Sequence, residues 1–279
     1  MVEKIPVSVV ILAKNEERGI AECVRRVQAF DEVVVVDSGS ADRTVERAEG
    51  AGARVVQFDW NGQYPKKKQW SLENTGLSHD WVLILDADES PSTELVAEIA
   101  AEVPSLVARR YGAYDICLTY RFAGKFLKHG HRVMKRSLLD RTVCSFPVVD
   151  DLEAPGIREV EGHYQPQTDR GVRRLKGRIE HDDRDPVSSW FERHNRYSDW
   201  EAYLRTHEDS KRSVESRRSR PGRVFARVPF KPIAFFVYTY LVRGGFLDGR
   251  AGFDYAIALS AYYWQIGLKV RELKRDDSQ

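Results

Sequence analysis

The stretch Trp81-Val-Leu-Ile-Leu-Asp-Ala-Asp-Glu89 is an apolar run of strand length that delivers two carboxylates, Asp86 and Asp88, at its C-terminal end. In an open α/β sheet, ligands bind outside the carboxyl ends of the strands. Carboxylates at that edge can share a hard divalent cation with a diphosphate, because such cations take oxygen ligands. The competing interpretation is that these aspartates are turn residues or caps, with Ser90-Pro91 beginning a helix.

Two apolar segments upstream end in polar residues of the same kind, which favours the ligand-binding interpretation. Residues 7–12 run into Ala13-Lys-Asn-Glu-Glu17, and residues 32–36 run into Asp37-Ser-Gly-Ser-Ala-Asp-Arg-Thr44. Packing does not favour an unpaired carboxylate near a sheet end, so three such ends argue for a ligand whose parts are bound separately. The pattern predicts a nucleotide site, with base and ribose at the first two strand ends and diphosphate and metal at the third.

The residues at these strand ends resemble those of a known enzyme family. The segments Ala13-Lys-Asn-Glu16, Asp37-Ser-Gly-Ser-x-Asp-x-Thr44 and Asp86-Ala-Asp-Glu89 are similar to the nucleotide-binding half of family 2 glycosyltransferases. Lys68-Gln-Trp-Ser-Leu-Glu73, followed by Asp80-Trp-Val-Leu83, is similar to the subgroup that includes bacterial lipopolysaccharide-core glucosyltransferases. The resemblance covers residues 5–95 and implies the GT-A fold, an α/β fold with a Rossmann-like nucleotide-binding mixed sheet flanked by helices.

The resemblance implies a role for each matching residue. Asp37 contacts the uracil or its equivalent, and Lys68 approaches the nucleotide. Asp88 is the main ligand of Mg²⁺ or Mn²⁺, and Asp86 lies beside both the ribose and the metal. The nucleotide-binding residues implied in this way, including those that line the nucleoside pocket, are Ala13, Asn15, Glu16, Asp37, Gly39, Lys68, Asp86 and Ala87.

The second segment departs from the family pattern. Many members have Asp-Asp-Gly-Ser where this chain has Asp37-Ser38-Gly39-Ser40, so one carboxylate is missing. Gly39 is equally consistent with a plain turn glycine and with a direct contact. Asp42 is equally consistent with a direct contact and with an N-cap of a helix around residues 43–48.

The family resemblance also implies a catalytic carboxylate from a later segment, which would deprotonate the acceptor hydroxyl. Arg158-Glu-Val-Glu-Gly-His-Tyr164 offers Glu159 and Glu161, and alternation puts both on one strand face. Glu161 is the preferred base and Glu159 the near rival. The alternatives are that both are exposed strand residues paired with Arg158 or Arg173, or that the base is in the pair Asp150-Asp151.

Two further sets of residues are candidates for contacts with phosphate or metal. His181 ends the pattern Leu175-Lys-Gly-Arg-Ile-Glu-His181-Asp-Asp183 and is a candidate third metal ligand or diphosphate contact, although lone histidines are more often structural. Residues 186–205 have apolar side chains at helical spacing, which predicts a helix with a core-facing stripe. Arg193 and Arg196 on this helix are candidate acceptor or phosphate contacts, or ordinary surface arginines.

The composition bounds the class of protein. A chain of 279 residues with 42% hydrophobic content can bury a full core. We expect a catalytic domain over residues 1–205, with a nucleotide-binding half (1–100) and an acceptor half (101–205), and a basic, aromatic helical extension over residues 206–279. Three widely spaced cysteines favour a reducing compartment, and the first strand begins too early for a signal peptide, so a cytoplasmic enzyme is expected.

The C-terminal extension predicts contact with a membrane. Residues 211–231 carry eight basic side chains against one acidic residue. The apolar segment at residues 229–242 has an uninterrupted core of about ten residues, short of the roughly 20 needed to span a bilayer, and residues 251–269 predict a second aromatic helix. Basic residues beside amphipathic helices favour peripheral docking on anionic lipid, although the helices could instead pack on the catalytic domain. No nucleic-acid recognition motif accompanies the arginines, so no nucleic acid is expected as a partner.

These observations predict an inverting glycosyltransferase, with the inversion implied by the resemblance. The expected reaction moves a sugar from a nucleotide-diphosphate donor, a UDP-sugar, to a hydroxyl of a lipid-linked or cell-envelope glycan at the cytoplasmic face of the membrane. One alternative is a nucleotidyltransferase, which usually has a glycine-rich phosphate loop where this chain has a single glycine. The other is a non-catalytic membrane-associated scaffold, which the intact Asp86-Ala-Asp88 motif disfavours.

Overall fold

The computed structural model describes residues 3–149, 151–156, 159–161, 164–207 and 228–276. Apolar strands alternate with helices in the first part of the chain. The strands are β1 (Ile5–Ala13), β2 (Phe30–Asp37), β3 (Arg54–Gln57), β4 (Trp81–Asp86), β5 (Glu89–Pro91), β6 (Ala113–Phe122), β7 (Lys125–Phe126), β8 (Met134–Asp140) and β9 (Val172–His181). The helices are α1 (Ile20–Arg26), α2 (Thr44–Gly50), α3 (Lys67–Asn74), α4 (Thr93–Val107), α5 (Val187–Thr206), α6 (Lys231–Phe236) and α7 (Arg250–Asp276), with a π-helix at Val237–Val242 and a 3₁₀ helix at Gly245–Asp248.

The first four strands in the sheet form its parallel half, in the order β3-β2-β1-β4. β1 and β4 are continuous apolar runs because parallel strands are covered on both faces. Val9 and Ile11 pack on one side of the sheet with Ile20 of α1, whereas Val10 and Leu12 pack on the other. Burial on both faces fixes these strands, so their carboxyl ends are held in a defined register.

A mixed half, mostly antiparallel, extends the sheet beyond β4. The order continues β8-β6-β9-β5, and β7 pairs with β6. β8 is antiparallel to both β4 and β6, β9 is parallel to β6, and β5 is antiparallel to β9. The predicted mixed α/β sheet flanked by helices is confirmed.

The interpretation of Ser90-Pro91 as the start of a helix is wrong. Both residues belong to β5, where Glu89 lies opposite His181 of β9. Helix α4 starts later, because Ser92 Oγ accepts a hydrogen bond from the Leu95 amide at 3.2 Å and caps it. This short strand matters for the site because it brings His181 to the acidic end of β4.

The chain divides into two compact units. The first contains Met1–Tyr120, Val133–Pro147 and Glu159–Asp183, and the second contains Arg121–Arg132, Val148–Arg158 and Arg184–Gln279. This division differs from the predicted boundary near residue 205, because α5 packs against α7 within the second unit. Lys269 Nζ of α7 donates to Asn195 Oδ1 of α5 at 2.9 Å.

The predicted C-terminal helices are present in the second unit. α6 and the π-helix cover the apolar segment as far as Val242, and α7 covers the helix predicted at residues 251–269. None of the helices in the described ranges is both long enough and apolar enough to cross a membrane. Residues 211–227 of the basic tract, together with Asp150 and Arg158, lie outside the described residues.

Candidate nucleotide site

The ends of β1, β2 and β4 lie side by side. Ala13 pairs with Asp37 across the β1–β2 ladder, and Leu12 pairs with Asp86 across the β1–β4 ladder. The contact continues past β4, because the Ala87 amide donates to Leu12 O at 3.1 Å. The register therefore brings the three predicted acidic strand ends to one edge of the sheet.

The loop after β2 is built around Asp37, which is 1% exposed. Its carboxylate accepts hydrogen bonds from the Ser40 amide at 2.9 Å and from the Ser40 hydroxyl. Ser40 Oγ accepts from the Asn15 amide at 2.8 Å, and Asn15 Oδ1 accepts from the Ala41 amide at 2.8 Å. Asn15 has a φ of 58°, a left-handed conformation that asparagine adopts more readily than most residues. The predicted nucleoside residues Asp37 and Asn15 thus fasten two loops to each other.

Asp42 binds the N-terminus of α2. Its Oδ1 accepts from the Thr44 amide at 3.0 Å and from the Thr44 hydroxyl, and its Oδ2 accepts from the Glu17 amide at 3.2 Å. Thr44 Oγ1 accepts in turn from the amide of Glu16, a predicted nucleoside residue, at 2.7 Å. Gly39 has a φ of 68°, and a Cβ there would meet nothing within 4 Å, so the turn requires glycine for its backbone conformation. These contacts favour the interpretation of Asp42 as a residue that caps α2, and of Gly39 as a turn glycine, over direct contacts with the nucleotide.

A buried ion network holds the turn that contains Asp86. Lys135 of β8 donates to Asp86 Oδ2 at 2.9 Å and to Glu89 Oε2. Glu89 is 1% exposed and also accepts from the Asp86 amide at 3.0 Å. Enclosure by protein disfavours the charged form of Asp86, but the ammonium groups of Lys135 and Lys68 outweigh it and hold the pKa of Asp86 below its usual value. Asp86 is therefore anionic and anchored.

Asp88 faces His181 in the same turn. His181 Nε2 lies 3.3 Å from Asp88 Oδ2, and His181 Nδ1 lies 3.8 Å from Glu89 Oε1. Burial raises the pKa of Asp88 to about 6, with attraction to His181 opposing the shift and repulsion from Asp86 adding to it. Burial lowers the pKa of His181, but Asp88 and Glu89 outweigh it and raise the pKa to about 9. At neutral pH, Asp88 and His181 form an ion pair.

The chemistry of Asp86 and Asp88 suits a divalent cation that is shared with a substrate. Mg²⁺ is commonly held by one or two carboxylates plus substrate phosphates. Across the described ranges, no group of three or more His, Cys, Asp or Glu side chains is arranged to hold a metal ion. His181 can bind a metal only as a neutral imidazole, and in the structure its Nε2 faces Asp88 Oδ2 at 3.3 Å. His181 as a ligand stays a prediction.

Lys67 lies among the charged groups of the strand ends. It is 2% exposed, and its Nζ donates to Ala13 O at 2.8 Å. Burial lowers the pKa of Lys67 to about 8, although the carboxylates of Glu159, Asp37 and Asp86 oppose the shift. A lysine ammonium thus lies within electrostatic reach of two of the predicted nucleotide-binding aspartates.

Residues 159–161 bind the N-terminus of α3, where a helix leaves its first amides without intrahelical partners. The Lys67 amide donates to Glu159 O at 2.8 Å. The amides of Lys68 and Gln69 donate to the two carboxylate oxygens of Glu161 at 2.8 and 2.9 Å. Glu161 is 2% exposed. The preferred base therefore uses both oxygens to accept hydrogen bonds from helix amides.

The described residues 159–161 are not part of a strand, and the Glu161 carboxylate turns towards α3. The side chain of Glu159 is 23% exposed and lies 3.5 Å from Lys14 Nζ. Arg173, a predicted partner for these glutamates, pairs with Glu102 at 2.9 Å. Glu159 therefore has the more accessible carboxylate of the two candidate bases, and the identity of the base stays a prediction.

The second unit contains the other predicted residues. Arg193 of α5 pairs with Asp185 at 3.0 Å, and Arg196 is exposed on the same helix. Asp151, from the rival pair for the base, is fully buried and accepts from Trp200 Nε1 at 3.3 Å. Asp151 therefore has a packing role within this unit.

Three residues that shape the site have no role predicted from the sequence: Lys67, Glu89 and Lys135. The sequence predicted that Lys68, the neighbour of Lys67, approaches the nucleotide. The ammonium of Lys68 lies 5.9 Å from the centroid of the Phe146 ring. Glu89 belongs to the quoted motif but was given no function. The sequence around Lys135 gives no local signal, because β8 contains Lys135, Arg136, Ser137 and Asp140 among three apolar residues, and a lysine in such a strand is usually exposed.

Comparison with known proteins assigns the first part of the chain to a family. Residues 8–146 match glycosyl transferase family 2. This segment contains the three acidic strand ends as well as Lys67 and Lys135. Residues 8–146 are therefore a family 2 glycosyltransferase domain, and the mixed sheet flanked by helices is the predicted GT-A fold.

Several curated relatives that match a similar length of this chain are named as glycosyltransferases. An uncharacterized glycosyltransferase of Rickettsia typhi is 40% identical over 119 residues, which cover 42% of this chain and 40% of the relative. The lipopolysaccharide core biosynthesis glycosyltransferase LpsC of Rhizobium meliloti is 31% identical over 130 residues, which cover 44% of this chain and 47% of LpsC. The chain thus spans less than half the length of these relatives.

Solved structures also show similarity. Glucosyl-3-phosphoglycerate synthase from Mycobacterium tuberculosis, in complex with Mn²⁺, UDP and glucosyl-3-phosphoglycerate, is 29% identical over 42% of this chain and 44% of that chain, with a TM-score of 0.30. A mycobacterial protein matches 71% of this chain and 74% of its own at 20% identity, with a TM-score of 0.38. Both similarities are too low to assign a function.

Proposed function

We propose that this chain is an inverting glycosyltransferase that moves a sugar from a nucleotide-diphosphate donor, a UDP-sugar, to a hydroxyl group. The observation that carries the proposal is the convergence of Asp37, Asp86 and Asp88 at the carboxyl ends of parallel strands within a family 2 domain. Ligands of open α/β sheets bind at this edge. The charges of these residues suit a nucleotide and a cation together.

The donor site is organised before the nucleotide arrives. Asp37 and Asn15 join two loops, so that neither loop can move without breaking hydrogen bonds of the other. Lys67 supplies a positive charge that attracts a diphosphate. A site that is already rigid loses little conformational entropy on binding, which favours affinity.

Asp88 and Asp86 are the proposed ligands of Mg²⁺ or Mn²⁺. When bound, such a cation offsets the negative charge that develops on the departing diphosphate. The chain keeps both carboxylates ionised beforehand, because Lys135 pairs with Asp86 and His181 pairs with Asp88. The side chains of Lys135 and His181 also hold the two carboxylates in fixed positions.

The transfer requires a base for the acceptor hydroxyl. The acceptor oxygen bonds to the anomeric carbon opposite the diphosphate, the bond from that carbon to the phosphate oxygen breaks, and the diphosphate leaves with the electron pair. A carboxylate takes the hydroxyl proton during this displacement. We assign this role to Glu159, because its carboxylate is partly exposed while that of Glu161 binds the amides of α3.

The proposed acceptor is a lipid-linked or cell-envelope glycan, met at the cytoplasmic face of a membrane. The name of LpsC, a lipopolysaccharide core biosynthesis glycosyltransferase, supports an envelope glycan. Aromatic C-terminal helices preceded by a basic tract support peripheral contact with an anionic membrane. Arg193 and Arg196 of α5 are proposed contacts for the acceptor or its phosphate.

Calorimetric titration with UDP, GDP and dTDP tests this function. We expect one nucleotide to bind in the presence of Mn²⁺, and binding to be lost in EDTA and in Asp88→Ala. Asp31→Ala is the matched control, because Asp31 is an exposed carboxylate near the opposite, amino end of β2, and it should bind as the unaltered protein does. A folded protein that binds none of these nucleotides would favour a non-catalytic scaffold.

A further inference from the structure

A group of large apolar side chains is exposed where α6, the π-helix and the 3₁₀ helix follow one another. Phe230 is 81% exposed, Val242 70% and Ile233 66%. We call this group the apolar face, and its main members are Phe230, Ile233, Leu241, Val242, Phe246 and Leu247. Contiguous exposed apolar patches of this kind are rare on soluble monomers and mark interaction sites.

The apolar face is the side of the helix that packing leaves unused. Ile233, Val237 and Leu241 recur at intervals of four residues, about one helical turn, so they share a side. Phe235 and Thr239 lie on the other side and are buried. The ring of Phe235 packs against Tyr263 of α7 with centroids 4.6 Å apart, so the helix is held from behind and its exposed side is free for a partner.

The turn that carries Phe246 and Leu247 is fixed by close packing and hydrogen bonds. A Cβ on Gly252 would lie 2.0 Å from Gly245 O, so α7 can approach the turn only because residue 252 is glycine. Asp248 is buried, and its Oδ2 accepts from the His129 amide at 2.8 Å. Lys125 Nζ donates to Asp248 O at 2.7 Å. The exposed side chains are therefore displayed on a rigid support.

The charges around the apolar face are positive. Residues 230–250 contain one carboxylate, Asp248, and it is buried, whereas Lys231 and Arg243 are cationic and Arg250 pairs with Asp254 at 2.9 Å. The sequence immediately before it, residues 211–227, carries seven Lys or Arg residues against one Glu. A second copy of the chain would bring like charges together. An anionic lipid surface offers both apolar depth and the opposite charge.

We infer that the apolar face inserts into the interfacial region of an anionic bilayer, with Phe230, Ile233, Leu241 and Leu247 entering the acyl boundary and the cationic Lys231 and Arg243 beside them at the level of the lipid headgroups. The inference deepens, and rests on, the proposed transfer to a membrane-associated acceptor. A helix that lies in the interface buries one face only, which matches a helix with one side packed on α7 and the other exposed.

Flotation of the full chain with vesicles tests the inference. One set of vesicles contains equal parts of phosphatidylglycerol and phosphatidylcholine, and the other contains phosphatidylcholine alone. The test variant is Ile233→Glu with Leu241→Glu, and the matched control is Val107→Glu, an exposed apolar residue at the end of α4 in the first unit. We expect the unaltered chain and the control to float with the anionic vesicles, and the double variant to lose at least about tenfold in partition.

Three results would overturn the inference: no flotation of the unaltered chain, equal flotation of the double variant, or equal binding to phosphatidylcholine alone. A dimer of the unaltered chain that the double variant converts to a monomer, with no vesicle binding by either, would assign the face to a second copy. Nucleotide titration of the same samples separates the two proposals. If the double variant still binds nucleotide but no longer floats, the result supports insertion of the apolar face. If the unaltered chain floats but binds no nucleotide, the result contradicts only the proposed glycosyltransferase activity.

Discussion

The nucleotide edge of the first unit and the apolar face of the second depart from the usual distribution of side chains in opposite directions. At the edge, charged groups such as Asp37, Glu89 and Lys67 are almost fully buried, whereas on the face Phe230 and Leu247 are exposed. A buried charge is costly without a partner, and an exposed apolar group forgoes the gain from burial. Under the two proposals, the difference teaches that charges fixed inside the protein suit a small polar ligand, whereas exposed apolar side chains suit a broad apolar partner.

The largest expected effect is on the turnover rate, and it distinguishes between the two candidate bases, Glu159 and Glu161. Glu159→Gln should lower the turnover rate by about 10²–10⁴-fold while nucleotide affinity is unchanged, because the base acts only in the displacement. The rate of nucleotide release from the nucleotide-sugar in the presence of acceptor membranes measures it.

Glu161→Gln is the matched comparison, and it should mainly lower stability, by about 1 kcal/mol, since Glu161 binds amides at the start of α3. If Glu161→Gln abolishes turnover and Glu159→Gln does not, the assignment of Glu159 is wrong and the cap residue is the base.

The second prediction concerns the ion pair between Lys135 and the buried Glu89. Lys135→Met should destabilise the protein by about 3–5 kcal/mol, because it removes the ammonium that pairs with the buried carboxylate of Glu89 and leaves only the more distant His181. Urea unfolding measures the change. Lys176→Met, at an exposed lysine of β9, should stay within about 0.5 kcal/mol.

A second substitution sharpens this test. Adding Glu89→Gln to Lys135→Met should recover part of the lost stability, because the uncompensated charge is removed. Additive losses in the double variant would show that the two side chains do not form a coupled pair.

The pH dependence of nucleotide binding tests Lys67. The pKa of Lys67 is lowered to about 8, so its ammonium is present below that pH and is lost as the pH rises through it. With Mg²⁺ present, affinity for the nucleotide should therefore fall by up to about tenfold for each pH unit above 8, the limit for a single required proton. Lys67→Met should bind weakly with a flat profile, and Lys68→Met should retain the decline. If the nucleotide affinity of the unaltered chain does not change with pH over this range, Lys67 does not contribute to nucleotide binding.

The smallest expected effect concerns the apolar face. Leu241→Ala should change the free energy of unfolding by less than about 0.5 kcal/mol, because the side chain is exposed. Leu259→Ala, at a buried leucine of α7 in the same unit, should cost about 2–5 kcal/mol. Thermal or urea unfolding compares the two. Equal losses would mean that the face is packed in solution, and the contrast between the two regions would then fail.

Much of the fold and the core of the candidate site were predictable from the sequence. Apolar runs at residues 7–12, 32–36 and 81–85 predicted three parallel strands, and the polar residues that follow predicted a candidate ligand edge at their carboxyl ends. Asp37 and Asp86 lie there because register follows from strand pairing. These features are encoded in consecutive residues, so the local pattern is sufficient to identify them.

Tertiary structure alone decided which charges are paired and which are accessible. Lys135 meets Asp86 across 49 positions of sequence, and Glu161 meets Lys68 across 93, and no local pattern encodes either contact. The choice between Glu159 and Glu161 depended on which of them reached the amides of α3. The apolar residues of 229–242 were visible in the sequence, but which side of the helix stays exposed depended on how α6 packs against α7. Long-range pairing fixes burial, and burial determines whether a charged or apolar side chain supports the fold or remains available to a ligand.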